Sequence, residues 1–297
     1  MPILKRLVPF CLILLFLFAG ISSAAAASSP AQSTTRPLQV NINGAFISAD
    51  RSPFILSGRI MIPIRTLASL GLQYSWDAIR HAVTITNSSN DLFEMTQGQP
   101  IAYKNGVPVQ MDSEANNYNG RIMVPAKFVS EAFGYNVYYE KIREILFIQS
   151  KNFTPDAQSI HSADLKQARL AAISLPVRYS FKPGTSVQSD ESQYYTYSFA
   201  SKDASRYAYS NGEITTVVEI TGTTATAVWQ ASEADLPGYP ATTFGGVQPA
   251  YISDLFQDSF SYSNGVYSGY HTLSDGTVTT FKFPGLSYTE LIRAIPE

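Results

Sequence analysis

The sequence predicts an α+β protein: a twice-written β-β-β-α-β-β segment, followed by an antiparallel β-meander packed on one or two helices. Three observations carry this. "GRIMIPIR" at 58–65 returns as "GRIMVPAK" at 120–127. Asn-Gly pairs stand between short apolar stretches, the strongest short-range hairpin signal, because both central residues of a type I′ turn need positive φ. From 177 onward aromatic and β-branched residues alternate with small polar ones, with turn pairs between the runs.

The repeat extends beyond its two signature octets. Asn43-Gly44 corresponds to Asn105-Gly106, and Pro63 to Pro125. One residue is then inserted in the second segment. After it, Gly71 meets Gly134, Trp76 meets Tyr139, Asp77 meets Glu140, and Ile79-Arg80 meets Ile142-Arg143. This is an internal duplication, with repeats at about 38–87 and 100–150.

Each element follows from local chemistry. "VNINGAFI" (40–47) and "IAYKNGVPV" (101–109) read as hairpins. Pro108 has no N–H, so its strand should lie at a sheet edge. A turn ending in Gly58, or Gly120, leads to a short strand. Pro63 and Pro125 open helices at about 64–70 and 126–133, since proline is tolerated in a first turn. Phe128, Val129, Ala132 and Phe133 form an apolar stripe at helical spacing. Gly71 and Gly134 end the helices as left-handed caps. "LQYSW" and "YNVYY" are strands, "DAIR" and "EKIR" turns, and "HAVTIT" and "EILFIQ" return strands. One segment is too small to bury its helix stripe, so the two should share a core. Arg59 and Arg121 are the polar members of the motif. They are expected to bond carbonyls or a loop carboxylate such as Asp77 or Glu140.

These residues resemble the copper amine oxidase N-terminal-like domain, also called the stalk domain, over about 38–150. The shared pattern is Asn-Gly, about a dozen residues, Gly-Arg-x-Met-x-Pro, a short helix ending in Gly, an aromatic-acid pair and a β return. Typical members have Val-Pro-Leu-Arg at the strand–helix junction. This chain has Ile-Pro-Ile-Arg and Val-Pro-Ala-Lys, departing at Ala126 and Lys127. The resemblance implies an appendage: in the oxidases copper and quinone sit in a separate catalytic domain. That site needs three histidines, two as His-x-His, and a tyrosine in an Asn-Tyr-Asp/Glu setting. Here His81, His161 and His271 stand far apart and no such tyrosine occurs. No catalytic residue, cofactor or metal is carried over, and amine oxidase activity is not expected. The domain recurs in exported proteins of Gram-positive bacteria beside unrelated partners, which implies a presentation or envelope-binding module. His81 itself is expected to be a half-exposed strand residue.

Composition bounds the rest. Lys5-Arg6, the apolar run Leu7–Ile21 and a Ser-Ala stretch have the layout of a secretory signal peptide over 1–27. The alternative is an uncut anchor, against which the run of about 15 residues is short of the ~20 a span needs. A cleaved chain is therefore expected to be secreted or wall-associated, with no transmembrane span. Residues 28–37 read as a flexible lead. The single cysteine, Cys11, lies in the leader behind Val8-Pro9-Phe10, unlike a lipoprotein cleavage site. The mature chain then has no disulfide and no thiolate ligand. With 21 basic and 23 acidic residues and no basic block, nucleic acid is set aside as a partner.

The second domain is expected at 155–297. Thr154-Pro155-Asp156 starts a helix, and Leu165, Ala168, Ala172 and Leu175 give it an apolar face over 155–174. "VRYSF", "QYYTYSFA", "SRYAYS", "EITTVVEI", "TTATAVWQ", "SFSYS", "GVYSGYHTL" and "TVTTFKF" are strands. Asn211-Gly212, Thr221-Gly222, Asn264-Gly265 and Asp275-Gly276 are turns between them. Ser287 to Glu290 matches a capping box for a last helix at 288–295. "LPGYPATTFGGVQP" (236–249) is too long for a tight turn and is the candidate functional loop. Trp229, Tyr239 and Tyr251 are therefore the candidate ligand-binding residues. Twelve of the eighteen tyrosines fall in this half. They fit a two-faced sheet, or alternatively a stacking surface for sugar or an apolar groove.

The expected function is that of an exported, non-catalytic binding or presentation protein whose partner is an envelope polymer, a protein or an apolar ligand. One alternative is a cell-wall sugar or peptide hydrolase with its site near 236–258. Its acids would come from Asp190/Glu191, Glu233/Asp235 or Asp254/Asp258. His271 beside Asp275 is expected to make a surface contact and not a dyad. The other alternative is a lipid carrier using a curved sheet, by analogy of shape. Gly-x-Ser-x-Gly, His-Glu-x-x-His and a phosphate loop are all absent.

Overall fold

The computed structural model describes residues 38–184, 194–232, 242–263 and 266–284. The expected leader, the last helix, Asn264-Gly265, Tyr239, Asp190/Glu191 and Glu233/Asp235 lie outside the described residues. Among those described, no helix is long and apolar enough to cross a membrane. The fold is α+β and mostly strand.

The chain opens with the hairpin β1 (Gln39–Ile42) and β2 (Ala45–Phe46). Asn43 and Gly44 turn it at φ 47° and 83°, the conformation that selects Asn-Gly. A second hairpin, β3 (Phe54–Leu56) and β4 (Arg59–Pro63), follows where the sequence suggested only a turn into one strand. The 3-10 helix Ile64–Leu70 leads to β5 (Gln73–Asp77), β6 (Ala82–Thr86) and β7 (Leu92–Thr96). Then come β8 (Ile101–Lys104), β9 (Val107–Gln110), β10 (Asn116–Tyr118) and β11 (Arg121–Pro125). Helix α1 (Ala126–Ala132) and strands β12 (Asn136–Glu140) and β13 (Ile145–Gln149) complete this part.

These strands form three sheets, ordered β12-β13-β1-β2, β10-β11-β4-β3 and β5-β6-β7-β8-β9. The two Arg-Ile-Met strands lie side by side, with Met123 opposite Pro63 and Met61 opposite Pro125. β9, which holds Pro108, is an edge strand as its missing donor requires. Strand β7 was not anticipated; it inserts antiparallel between β6 and β8. One core joins the two Gly-Arg-Ile-Met segments: Ile62, Leu67, Val83, Phe93, Val124, Val129 and Leu146 are buried together. Each such side chain contributes about 1.5–3 kcal/mol. Pro63 and Pro125 act one residue earlier than expected, as the last strand residue and N-cap. Gly71 is the left-handed C-cap at φ 75°, and Gly134 follows Phe133 at φ 83°.

The single amphipathic helix expected over 155–174 is two helices, α2 (Ala157–Ile160) and α3 (Leu165–Ile173). Asp164 breaks it by capping: its carboxylate accepts the Gln167 N–H and starts a new helix. Asp156, not Thr154, caps α2. Beyond them lie β14 (Val177–Tyr179), β15 (Tyr194–Phe199), β16 (Arg206–Ser210), β17 (Ile214–Thr221) and β18 (Thr224–Ser232). Strand β19 (Thr243–Gly246), the 3-10 helix Ile252–Phe256, and strands β20 (Asp258–Ser263), β21 (Val266–Thr272) and β22 (Val278–Pro284) follow.

All nine strands form one sheet, β14-β18-β17-β16-β15-β20-β21-β22, with β19 on β18. It is not a plain meander, because β15 pairs with β20 across the sequence. The inward face carries Tyr195, Tyr197, Tyr207, Tyr209, Phe260 and Tyr267, buried with Ile160, Ile173 and Leu175 from the helices. The tyrosines of this face are thus core, packed ring against ring, with Tyr197 and Tyr209 ring centroids 5.0 Å apart. On the opposite face, Leu255 of the 3-10 helix covers Ala200, Ala208 and Val217.

Candidate functional site

Three polar clusters and one aromatic patch are the places where chemistry is concentrated. The first is the turn between β12 and β13. Arg143 forks onto Glu140, with Nε–Oε1 at 2.5 Å and Nη2–Oε2 at 2.6 Å. It also donates to the carbonyls of Ile173 and Leu175 at 2.8 Å and to the Tyr207 hydroxyl at 3.1 Å. The Val177 N–H donates to Glu140. Both charged side chains are 1% exposed. Burial alone opposes the charge on Arg143, but Glu140 outweighs it and holds the guanidinium well above its ordinary pKa. Ile142 packs against the tyrosine core. The open carbonyls at the end of α3 are therefore capped by a residue from the repeat.

The second cluster is centred on the middle of α3. Arg169 is buried although it sits on the apolar face of the helix. It pairs with Asp258 and donates to the Ala200 carbonyl at 3.0 Å. Its guanidinium stands 4.9 Å from the Phe199 ring centroid. Burial pushes its pKa down, opposed by Asp258. The other Asp258 oxygen contacts His271 Nδ1 across the β20–β21 pair. The expectation of a His271–Asp275 surface contact is thus corrected: Asp275 instead accepts the Thr277 N–H. Nor does Asp258 pair with Asp254, which is exposed. Sequence reasoning missed this cluster; the only signal was an Arg within the apolar stripe. An Asp–His pair of this kind can fix one imidazole tautomer.

The third cluster is the pair of motif arginines. Their partners are neither Asp77 nor Glu140. Arg59 pairs with Asp112, and Arg121 with Asp50 at 2.6 Å, each crossing to the other half of the repeat. Asp77 and Glu140 are taken by Arg80 and Arg143. All four members of the crossed pairs are substantially exposed, so their role is modest surface bracing. Gly58 and Gly120 hold the adjoining turns at φ 76° and 80°.

The predicted ligand residues are only partly brought together. Trp229 and Tyr251 are half-buried and pack on the same small cluster beneath the 3-10 helix 252–256. Tyr251 bonds Glu219, and Arg206 lies over its ring at 4.6 Å. Burial and that acceptor raise the phenol's pKa. Trp229 therefore braces the outer layer of the sheet. Within the proposed loop, Thr243–Gly246 is an edge strand.

The histidines do not converge. His81 ends an exposed turn at φ 50° and not a strand, His161 follows α2, and His271 is held by Asp258. Among the described residues no three His, Cys, Asp or Glu side chains gather as a metal would need. The residues present do not fit a copper centre.

Residues 41–148 match the family model of the copper amine oxidase N-terminal domain. The match spans both Gly-Arg-x-Met motifs and ends before α2. No curated protein and no solved structure matches the chain.

Proposed function

We propose that this is an exported, non-catalytic protein that binds a component of the cell envelope. Its copper amine oxidase N-terminal-type domain, a duplication, would be the mount, and the nine-stranded sheet the presented surface. The observation that carries this is the Glu140–Arg143 plug. It fixes the mount to the end of α3 and to the sheet core through four hydrogen bonds to buried groups. Such a joint suits presentation in a fixed orientation better than a hinged, substrate-closing site. The burial of the inward tyrosines speaks against the carrier alternative, since that face is already packed.

The test is sedimentation of the mature protein with isolated Gram-positive wall sacculi, with and without their anionic polymers. Binding is expected in at least one preparation. A protein that stays in the supernatant with both would refute the envelope reading.

A hydrolase is the second reading because Asp258 and His271 form a pair whose imidazole is partly exposed. Its signature would be release of soluble wall fragments that His271→Ala abolishes. Arg169 argues against it, because it holds the Asp258 carboxylate in a fixed ion pair.

A further inference from the structure

The outward face of the nine-stranded sheet carries a row of hydroxyls. Thr215, Ser210, Thr196, Ser261 and Ser268 are successive cross-strand partners over five strands, and the row ends at Lys282. Directly opposed residues share a face, and all five are half-buried, as on a flat sheet surface. Tyr194 and Tyr270 flank the row on the same face, while most tyrosines of these strands point inward. Neighbouring hydroxyls are tied to each other: Thr196 Oγ1 lies 2.7 Å from Ser261 Oγ and donates to Tyr194 Oη at 2.6 Å. The five positions hold no charge, although a solvent-facing sheet usually carries Lys and Glu.

We propose that this row binds an extended, uncharged polysaccharide chain. Each hydroxyl both donates and accepts, which matches the hydroxyls of a sugar. Strands stand about 4.8 Å apart, close to the advance of one sugar ring along an extended chain, so consecutive rings meet consecutive strands. Tyr194 and Tyr270 offer flat apolar faces with polar tips for ring stacking. The five hydroxyl positions carry no charge and Lys282 stands alone at the end of the row, so an anionic polymer gains little along it, which favours the neutral chain. The proposal rests on the binding reading above and names its ligand class.

The probes are chitohexaose, cellohexaose and maltohexaose, titrated calorimetrically into the mature full chain. At least one is expected to bind. The double variant Ser261→Lys/Ser268→Lys should weaken binding at least about tenfold, with Lys127→Glu on α1 as the neutral control. Should the double variant misfold, Tyr270→Ala and shift mapping by NMR on the unaltered protein locate the site instead. Shifts confined to β15, β20 and β21 support the proposal. Failure of all three sugars to bind, or shifts elsewhere, overturns it. Sacculus binding that persists without sugar binding would refute this inference alone. Loss of both would refute the envelope reading with it.

Discussion

Arg80 and Arg143 stand at corresponding places of the repeat and live in opposite surroundings. Arg80 pairs with Asp77 and Glu94 in water, beside an almost fully exposed Ile79. Arg143 makes the same local pair in a dry joint. The difference is written in their neighbours: Tyr138 and Phe147 beside Arg143 correspond in the sequence to Ser75 and Thr84. Arg143→Ala should cost about 3–5 kcal/mol in denaturant unfolding, because it strands Glu140 without its partner. Arg80→Ala should leave the melting temperature nearly unchanged. Its effect should appear in titration, since the Arg80 hydrogen bond holds Asp77 at about 2. A depressed carboxylate supports the fold above its unfolded pKa and loses that support as pH falls through about 2. Carboxyl NMR should show this midpoint, and Arg80→Ala should raise it part of the way toward the ordinary carboxylate range, the Ile79 and residue-80 N–H bonds remaining. The dispersed histidines make a further expectation: after dialysis against a chelator, the protein should retain no stoichiometric copper by metal analysis. None of the buried ion pairs was legible in sequence. Arg169 and Asp258 are far apart in the chain, and only the folded sheet places Asp258 under α3.

Elements were legible where the chain itself forces a conformation. The Asn-Gly hairpins at 43–44 and 105–106, the helix-ending glycines and the edge position of Pro108 all follow from φ and from a missing donor. Strands β3, β7, β10 and β19 were not, because they are only three to five residues long, too short to show a clear alternation. The helix break at 161–164 was hidden because Asp164 reads equally as a surface residue of one long helix. Asp164→Ala should remove a cap worth about 1 kcal/mol, visible as a small loss in the denaturation midpoint. Two glycines of similar φ should respond differently. A Cβ on Gly71 meets open space, so Gly71→Ala should cost only the left-handed strain of about 1–2 kcal/mol. A Cβ on Gly246 would fall 1.9 Å from the Val228 carbonyl oxygen. Gly246→Ala should therefore detach β19, detectable as faster amide exchange at the β18–β19 pairs.

At the scale of the whole molecule, the core shared by both halves of the repeat means that neither half is complete. A fragment of residues 28–153 should melt cooperatively by calorimetry, and a fragment of 28–90 should show no transition. The shorter piece lacks β11 and β13, the partners of β4 and β1. It would also leave Ile62 and Leu67 without Val124 and Val129. The parallel pairing of β1 with β13 has another effect, on timing. As the chain emerges, its first strand must wait for a partner about a hundred residues later, and such distant closures fold slowly. Until β13 arrives, "QVNI" is an unpaired apolar edge open to any passing strand. The protein is thus most vulnerable to aggregation while half-made, and least so once its second segment has closed the first.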